Sequence, residues 1–375
     1  MTDEIRRAWA YLSRVAEPPC PELTALARRV GPVEAAECVR TDDVEDVIAR
    51  RTEARRQIDC AAEDLDVLDR MGGRLITADD AEWPYLAFNS FCGVADRLRP
   101  QAHEPMVLWA VGPASLDEVC DRAAAIVGTR AATAYGEFVA ADLAAGLATR
   151  DAAVVSGGAF GIDGAAHRAA LAADGLTVAV LAGGVDVPYP SAHAAMLRRV
   201  SNQGLLISEY PPGERPARHR FLTRNRLVAA LAGATVVVEA GARSGAANTA
   251  SWARALGRSV CAVPGPVTSS VSVGCHALLR GGANVVTRAE EVVELIGHMG
   301  ELAPDEQRPV SALDGLTDTD KRVYDALPAR GSRTADEVAV AAGLPPTQVL
   351  GPLAVLELSG LVVRRDGRWK LARPT

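Results

Sequence analysis

The densest group of chemically active side chains lies between residues 215 and 226. It holds five arginines in twelve residues, and Glu214 is the only acidic residue beside it in the sequence. The group comprises Arg215, Arg218, His219, Arg220, Phe221, Arg224, Asn225 and Arg226. Cations crowded ahead of a helix N-terminus repel one another and the helix dipole, and a bound polyanion relieves both effects. We therefore expect a polyanion site, with a structural role as the alternative. Phe221 favours single strands, whose unstacked bases can lie on aromatic rings.

Glycine-rich turns follow three of the predicted strands. Glycines let backbone N–H groups approach a ligand, and the N-terminus of a following helix favours phosphate. The predicted phosphate-binding residues in these turns are Gly128, Arg130, Ser156, Gly157, Gly158, Gly161, Gly183 and Gly184. Tight packing of helix on strand is the alternative explanation for some of the glycines. Phe160, in the second turn, is either a further stacking residue or a buried packing residue.

Other candidate chemistries fit the residues less well. The turn from Ser156 to Gly161 does not match the dinucleotide fingerprint, and the only lysines are Lys321 and Lys370, so the core has no P-loop or Schiff-base lysine. Acidic residues at strand ends could hold magnesium, but they form no tight pair, and we expect them to cap helices and brace loops. They are Asp163, Asp186, Glu209 and Glu239. We expect neither a metal nor a cofactor.

Composition limits the class of protein. The net charge of −7 argues against a protein that coats DNA with its whole surface, but it leaves room for a local basic groove. Seven scattered cysteines without a C-x-x-C pair predict neither a zinc site nor a disulfide framework. No apolar run has the length of a membrane span, and the N-terminus lacks the layout of a signal peptide. We therefore expect a cytoplasmic protein that does not bind membranes.

The elements that position these loops are clearest between residues 123 and 298. Apolar strands alternate there with alanine-rich helical segments, a pattern typical of a parallel sheet covered on both faces. The predicted strands are Ala125–Val127, Ala152–Val155, Thr177–Leu181, Leu205–Ile207, Thr235–Val238, Val260–Val263 and Asn284–Val286. This is an α/β, Rossmann-like, doubly wound parallel sheet. Right-handed crossovers place every strand-to-helix loop on one edge, so the charged loop and the glycine turns should form one groove.

Smaller segments flank this core. Residues 1–75 are predicted to form an N-terminal helical domain, SAM-like or helix-hairpin-helix-like, and its Gly31-Pro32 break is either half of a helix-hairpin-helix or a plain helix connection. Residues 76–298 form the extended Rossmann-like domain, and 299–312 a linker. Residues 313–375 predict a winged helix, with three helices and a hairpin at Asp366-Gly367. Its third helix has no arginine or lysine, so we do not expect it to read DNA sequence.

Several motifs, taken in order, resemble the DNA-processing protein A (DprA/Smf) family. They are Val127-Gly128-Thr129-Arg130, Ser156-Gly157-Gly158-Ala159 with Gly161-Ile162-Asp163, Gly183-Gly184-Val185-Asp186 with Tyr189-Pro190, Ser208-Glu209-Tyr210-Pro211, Phe221 with Arg224-Asn225-Arg226, Val238-Glu239-Ala240, Ser244-Gly245, Val263-Pro264-Gly265 and Gly274-Cys275. His193 and His276 depart from the asparagines common in the family, and a lysine common ahead of the phenylalanine is replaced by arginine.

The resemblance implies a non-catalytic homodimer that binds single-stranded DNA and loads the RecA recombinase onto it. It further implies a role in DNA uptake, natural transformation and homologous recombination, with indirect displacement of single-strand-binding protein. By position, Arg130 and the segment from Arg220 to Arg226 line the DNA pocket. The alternative is a nucleotide-binding Rossmann enzyme of the nucleoside monophosphate phosphoribohydrolase type. The chain lacks the Pro-Gly-Gly-x-Gly-Thr-x-x-Glu signature of that class.

Overall fold

The computed structural model describes residues 1–94, 101–242, 244–297, 303 and 315–372. Their contacts divide the chain into two compact units, residues 1–303 and 304–375. Apart from Ala303, the predicted linker lies outside the described residues. No single described helix is both long enough and apolar enough to cross a membrane.

Five helices precede the sheet. They are α1 (Asp3–Val15), α2 (Pro21–Val30), α3 (Pro32–Thr41), α4 (Asp46–Thr52) and α5 (Ala61–Arg70). The sequence predicts a cap for α1 at Thr2 or Asp3, and the structure shows it at Thr2, whose hydroxyl accepts a hydrogen bond from the amide of Ile5. Gly31 joins α2 to α3 with a φ of +89°, a conformation that favours glycine. A phosphate-binding role for this connection stays a prediction.

Nine strands form one mostly parallel sheet in the first unit. They are β1 (Gly73–Ile76), β2 (Leu108–Val111), β3 (Ala123–Val127), β4 (Ala153–Ser156), β5 (Thr177–Val180), β6 (Leu205–Ser208), β7 (Ala234–Val237), β8 (Ser259–Ala262) and β9 (Asn284–Val285). Their order is β1-β2-β6-β5-β4-β3-β7-β8-β9. The pairs from β6 to β9 are parallel, which confirms the Rossmann-like prediction.

The sheet is not entirely parallel. Strands β1 and β2 pair antiparallel with each other, and β2 pairs antiparallel with β6. Neither strand was predicted, because each spans only four residues outside the alternating region. The predicted domain boundary at residue 75 falls inside β1.

Helices cover both faces of the sheet. They are α6 (Tyr85–Asn89), α7 (Leu116–Asp121), α8 (Ala134–Ala148), α9 (Ile162–Ala172), α10 (Ala194–Gln203), α11 (Arg218–Ala230), α12 (Gly245–Ala255), α13 (Val273–Arg280) and α14 (Ala289–Ile296). Neighbouring residues of β4 pack into different hydrophobic cores. Val155 packs in the core with α11 and α12, and Val154 packs in the core with α8 and α9. Burial on both faces explains why the strands are continuous apolar runs.

The start of α11 differs from the sequence prediction. The periodicity predicts a helix from Asn225, whereas α11 begins at Arg218, so most of the predicted arginine loop is helical. The residue before it, Ala217, provides no side-chain cap, and the first turn has no acidic residue. The usual sequence signals of a helix start are therefore missing here.

The second unit has the elements of a winged helix. They are α15 (Asp318–Asp325), α16 (Ala335–Ala342), α17 (Leu350–Leu358), β10 (Val362–Arg365) and β11 (Arg368–Leu371). Thr334 and Glu337 form the predicted capping box at α16. Asp366 and Gly367 both have positive φ, as a tight two-residue hairpin requires.

Candidate functional site

A cleft of about 1030 Å³ opens at the carboxyl ends of the central strands. Its walls come from the loops after β3, β4, β5, β7 and β8 and from one side of α11. Strands β3 and β7 are neighbours in the sheet although three strands, β4 to β6, lie between them along the chain, so the winding changes direction between them. Open α/β sheets bind ligands at this switch point.

The predicted site residues divide into two groups. Those that line the cleft are Gly128, Arg130, Gly157, Arg218, Phe221, Arg224 and Asn225. Those that do not appear in its described lining are Ser156, Gly158, Gly161, Gly183, Gly184, Arg220 and Arg226. The charged segment and the turns at Gly128 and Gly157 line one cleft, whereas the Gly183-Gly184 turn does not appear in its described lining. Half of the predicted residues therefore face the cleft, and their binding of a ligand stays a prediction.

Arg226 is the clearest departure from the prediction that the whole charged segment binds a ligand. Its side chain is 0% exposed, and it donates a hydrogen bond of 2.6 Å to Glu209, which is itself buried. Burial raises the pKa of the Glu209 carboxyl, and the arginine partly offsets that rise. The pair lies inside the protein and joins α11 to the end of β6.

Arg220 is also held internally. Its guanidinium donates to Glu17, at 2.7 and 2.9 Å, and to Glu214, at 2.7 Å. His219 lies 3.1 Å from the same Glu17 carboxylate. Glu17 lies two residues after the end of α1 and 203 residues before Arg220. In the sequence, Glu214 is the only acidic residue beside this cluster. The fold brings a second carboxylate, that of Glu17, to Arg220, so the prediction that only Glu214 opposes the cluster is wrong.

Arg224 lies at the base of the cleft and is 5% exposed. It donates to the backbone carbonyl of Val180, and its Nε has no hydrogen-bond partner among the described residues. Burial lowers the pKa of Arg224 to about 10; nearby Asp163 opposes that change and Arg130 adds to it. A Cβ at Gly157 would lie 2.1 Å from Nη1 of Arg224. Glycine is needed at 157 so that this guanidinium can lie against the backbone.

Aromatic rings and a cation meet at the mouth of the cleft. The guanidinium carbon of Arg130 lies 4.9 Å from the centroid of the Phe221 ring. The rings of Phe221 and Tyr189 have centroids 5.4 Å apart. Phe160 is 45% exposed, so it is not the buried packing residue of the alternative, but it contacts His193 and is absent from the cleft lining.

The Ser-Gly-Gly turn is built differently from a simple phosphate cradle. The Asp163 carboxylate accepts hydrogen bonds from the amides of Gly157 and Ala159, at 3.2 and 3.4 Å. Burial raises the pKa of this carboxyl. The amide of Gly157, which was predicted to face a phosphate, is therefore already engaged by Asp163. Asp163 braces the turn as predicted, but it does not cap α9, whose N-cap is Gly161.

The remaining turn residues pack loops together. Gly161 has a φ of +72°, and a Cβ there would lie 2.3 Å from the carbonyl oxygen of Thr129. The Ser156 hydroxyl donates to the carbonyl of Ile126 at 2.6 Å. Cβ atoms at Gly183 or Gly184 would crowd the loop of residues 211–216. The contacts of these residues agree with the alternative explanation from the sequence, which is tight packing between elements.

The other acidic residues at the strand ends also brace loops. Asp186 accepts from the amide of Gly213 at 2.9 Å. Glu239 accepts from the amide and the hydroxyl of Thr133, the N-cap of α8, at 2.9 and 2.6 Å. Within the described residues, no three His, Cys, Asp or Glu side chains are grouped so that they could hold a metal ion.

The cleft includes residues that were not predicted as site residues. Among them are Thr129, Tyr189, Ser244, Gly245 and Ser270. Tyr189 and the Ser244-Gly245 pair belong to the motifs that carried the family resemblance, so a signal for them was present. Ser270 stands outside those motifs, and the sequence offered no comparable signal for it.

Comparison with known proteins decides the family. The family model described as DNA recombination-mediator protein A matches residues 74–297, which is more than half of the chain. The chain belongs to the DNA recombination-mediator protein A family. A second model, the DprA winged helix domain, matches residues 306–368 and confirms the predicted type of the C-terminal module.

Relatives of the DNA recombination-mediator protein A family cover the chain at high identity. A Mycobacterium tuberculosis relative, described as a putative DNA processing protein DprA, is 68% identical over 373 residues, covering 100% of this chain and 96% of its own length. Protein Smf of Escherichia coli is 37% identical over 246 residues, covering 65% of this chain and 66% of its own. The resemblance seen in the ordered motifs is thereby confirmed.

Solved structures of the family agree with the fold. The X-ray structure of DprA from Streptococcus pneumoniae has a TM-score of 0.63 and 29% identity, covering 79% of this chain and 99% of its own. DprA from Helicobacter pylori has a TM-score of 0.51 and 28% identity, covering 59% of this chain and 94% of its own. That structure is described as giving insight into a single-stranded DNA binding mode.

Proposed function

We propose that this protein binds single-stranded DNA in the cleft without catalysing a reaction. The observation that carries the proposal is the combination of Arg130, Arg218 and Arg224 with two partly exposed aromatic rings, Tyr189 and Phe221, around one cleft. Arginines neutralise backbone phosphates, and aromatic rings stack with unpaired bases. The single-stranded DNA named for the H. pylori relative supports the same ligand here.

A duplex suits this cleft less well than a single strand. In duplex DNA the bases are stacked on one another, so their faces are not open to Tyr189 or Phe221. The net charge of −7 also disfavours binding through a broad basic surface. Local cations with neighbouring rings favour a strand whose phosphates and bases are both accessible.

The wider role rests on membership of the family. In this proposal the protein is a cytoplasmic homodimer that loads the RecA recombinase onto the bound strand during DNA uptake, natural transformation and recombination. Displacement of single-strand-binding protein follows indirectly from that loading. The protein requires no cofactor and does not act at a membrane.

The acidic residues near the cleft support binding rather than catalysis. Asp163, Glu209 and Glu239 each accept hydrogen bonds from internal donors, so each carboxylate has a structural use. The alternative, hydrolysis of a nucleoside monophosphate, predicts release of free base by the purified protein. Chromatography of the nucleotide after incubation separates the two functions, and any enzyme-dependent base release would favour the alternative.

The winged helix is proposed as a protein-contact or weak accessory module. Its third helix, α17, contains neither arginine nor lysine, whereas readers of the major groove need base-edge donors and phosphate contacts. The exposed side chains of Leu350 and Leu358 also favour a protein partner over a phosphate backbone.

Salt dependence tests the cleft as the DNA site. Fluorescence anisotropy with labelled oligo-dT should give a linear plot of log K against log salt. Arg130→Ala and Arg218→Ala should each weaken binding and reduce the slope by about 0.7, since each loses one phosphate contact. Arg29→Ala is the matched control, because Arg29 is exposed on α2 and does not line the cleft.

Two results would overturn the proposal. One is equal affinity for duplex and single strands at every salt concentration. The other is parental affinity and slope in both cleft variants, which would place the DNA elsewhere on the protein.

A further inference from the structure

The two aromatic rings of the cleft differ in what already surrounds them. Tyr189 is 47% exposed, whereas Phe221 is only partly exposed. The guanidinium carbon of Arg130 lies 4.9 Å from the centroid of the Phe221 ring, and Tyr189 lies 5.4 Å away. The surroundings of Phe221 are therefore already filled on two sides by protein groups.

The planes of the two rings meet at 49°, so they are tilted and not stacked. A tilted contact leaves much of the Tyr189 ring uncovered, as its exposure also shows. A base that enters the cleft thus meets a larger open aromatic surface at Tyr189 than at Phe221. Base–aromatic stacking depends on this open surface and not on base identity.

The loop that carries Tyr189 is fixed on both sides. The amide of Val187 donates to the carbonyl of Gly184 at 3.0 Å, and the amide of His193 donates to Pro190 at 2.9 Å. The His193 ring also makes a 3.0 Å hydrogen bond to the carbonyl of Gly158, in the Ser-Gly-Gly turn. A ring held by a fixed loop loses little conformational entropy when a base binds to it.

We propose that Tyr189 is the principal stacking surface for a nucleobase of the bound strand, and that Phe221 and Arg130 hold its position. The assignment rests on the proposed function and changes the sequence prediction, which gave the stacking role to Phe221. The ligand is an unpaired base of any type, with its phosphates held by the cleft arginines.

A strand without bases separates stacking from charge. We compare binding of oligo-dT with binding of an abasic oligonucleotide of equal length, which keeps the phosphates. Tyr189→Ala should weaken oligo-dT binding by about 5- to 150-fold and leave abasic binding and the salt slope unchanged. Tyr189→Phe should bind both strands like the parent, because stacking needs the ring and not the hydroxyl.

Phe138→Ala is the matched control, because Phe138 is 71% exposed on α8 and does not line the cleft. The stacking role would be overturned if Tyr189→Ala lost affinity for oligo-dT and for the abasic strand equally, or if it bound both strands like the parent. Either conclusion requires that the parent itself binds single-stranded DNA. A parent protein that binds neither strand would instead refute the proposed function, and the stacking site with it. Thermal unfolding of each variant confirms that the comparison is made between folded proteins.

Discussion

Arg218 and Arg226 lie about two turns apart on the same helix, yet their surroundings are opposite. Arg218 is exposed and lines the cleft, whereas Arg226 is 0% exposed and bound to Glu209. Both residues belong to one cluster in the sequence, and both were predicted to bind the same ligand. The difference shows that residue type does not decide which arginine side chain can reach the cleft. That is decided by a carboxylate from another part of the chain, here that of Glu209.

The arginines between them show intermediate arrangements. Arg220 is satisfied by Glu17 and Glu214, and so serves as an anchor like Arg226. Arg224 is buried like an anchor but lines the cleft, and its Nε has no hydrogen-bond partner in the part of the chain that the structure describes. One helix thus carries cations that hold the protein together and cations that face the cleft.

The largest expected effect is on the anchor pair. Arg226→Ala leaves the buried Glu209 without its partner, which typically costs about 3–5 kcal/mol of unfolding free energy. Urea denaturation measures the loss. The double change Glu209→Leu with Arg226→Met removes both charges and should recover most of the stability. A loss below about 1 kcal/mol in Arg226→Ala would show that this pair is not an anchor.

A smaller effect is expected on the pH dependence of the unfolding free energy, through the buried side chain of His167. Burial lowers the pKa of His167 to about 3, from 6.5. The unfolded chain therefore binds this proton more readily, so the contribution of His167 to stability is complete above pH 6.5 and falls as the pH drops towards 3. The loss from this site is about 1.5 kcal/mol between pH 6.5 and 5.

Unfolding free energies across that range test the histidine prediction. His167→Gln should decline less steeply than the parent as the pH falls. Parallel curves for the parent and His167→Gln would contradict the assignment.

The smallest expected effect is the change in unfolding free energy when Arg218, which faces the cleft, is replaced. Arg218→Ala should change the unfolding free energy by less than about 0.5 kcal/mol, because the side chain is exposed and away from the internal pairs. The same urea experiment measures it beside Arg226→Ala. If the two variants lost equal stability, the division of α11 into anchors and ligand-facing cations would be wrong.

Local sequence patterns predicted much of the fold. All seven predicted core strands form, as do the cap at Thr2, the capping box at Thr334 and the hairpin at Asp366-Gly367. Each of these depends on residues close together in the chain. Strands β1 and β2 were missed because these two short strands depend on pairing with distant segments.

The site was predicted less completely, because many of its contacts join residues that are far apart in the chain. The glycine turns and arginines could be found from residue type and spacing, and their meeting at one sheet edge follows from the topology. Their partners could not be found in this way. Glu17 and Glu209 are far from the arginines that they bind, and the use of backbone amides by Asp163 appears only in three dimensions.

The hydrogen bonds between Glu17 and Arg220 also bear on the order in which the protein is built. These two residues are 203 positions apart, and a contact of such separation forms only after a long loop has closed. During synthesis Glu17 leaves the ribosome long before its partner exists. The hold of Glu17 on the first turn of α11, and with it on one wall of the cleft, is therefore established only after that loop has closed.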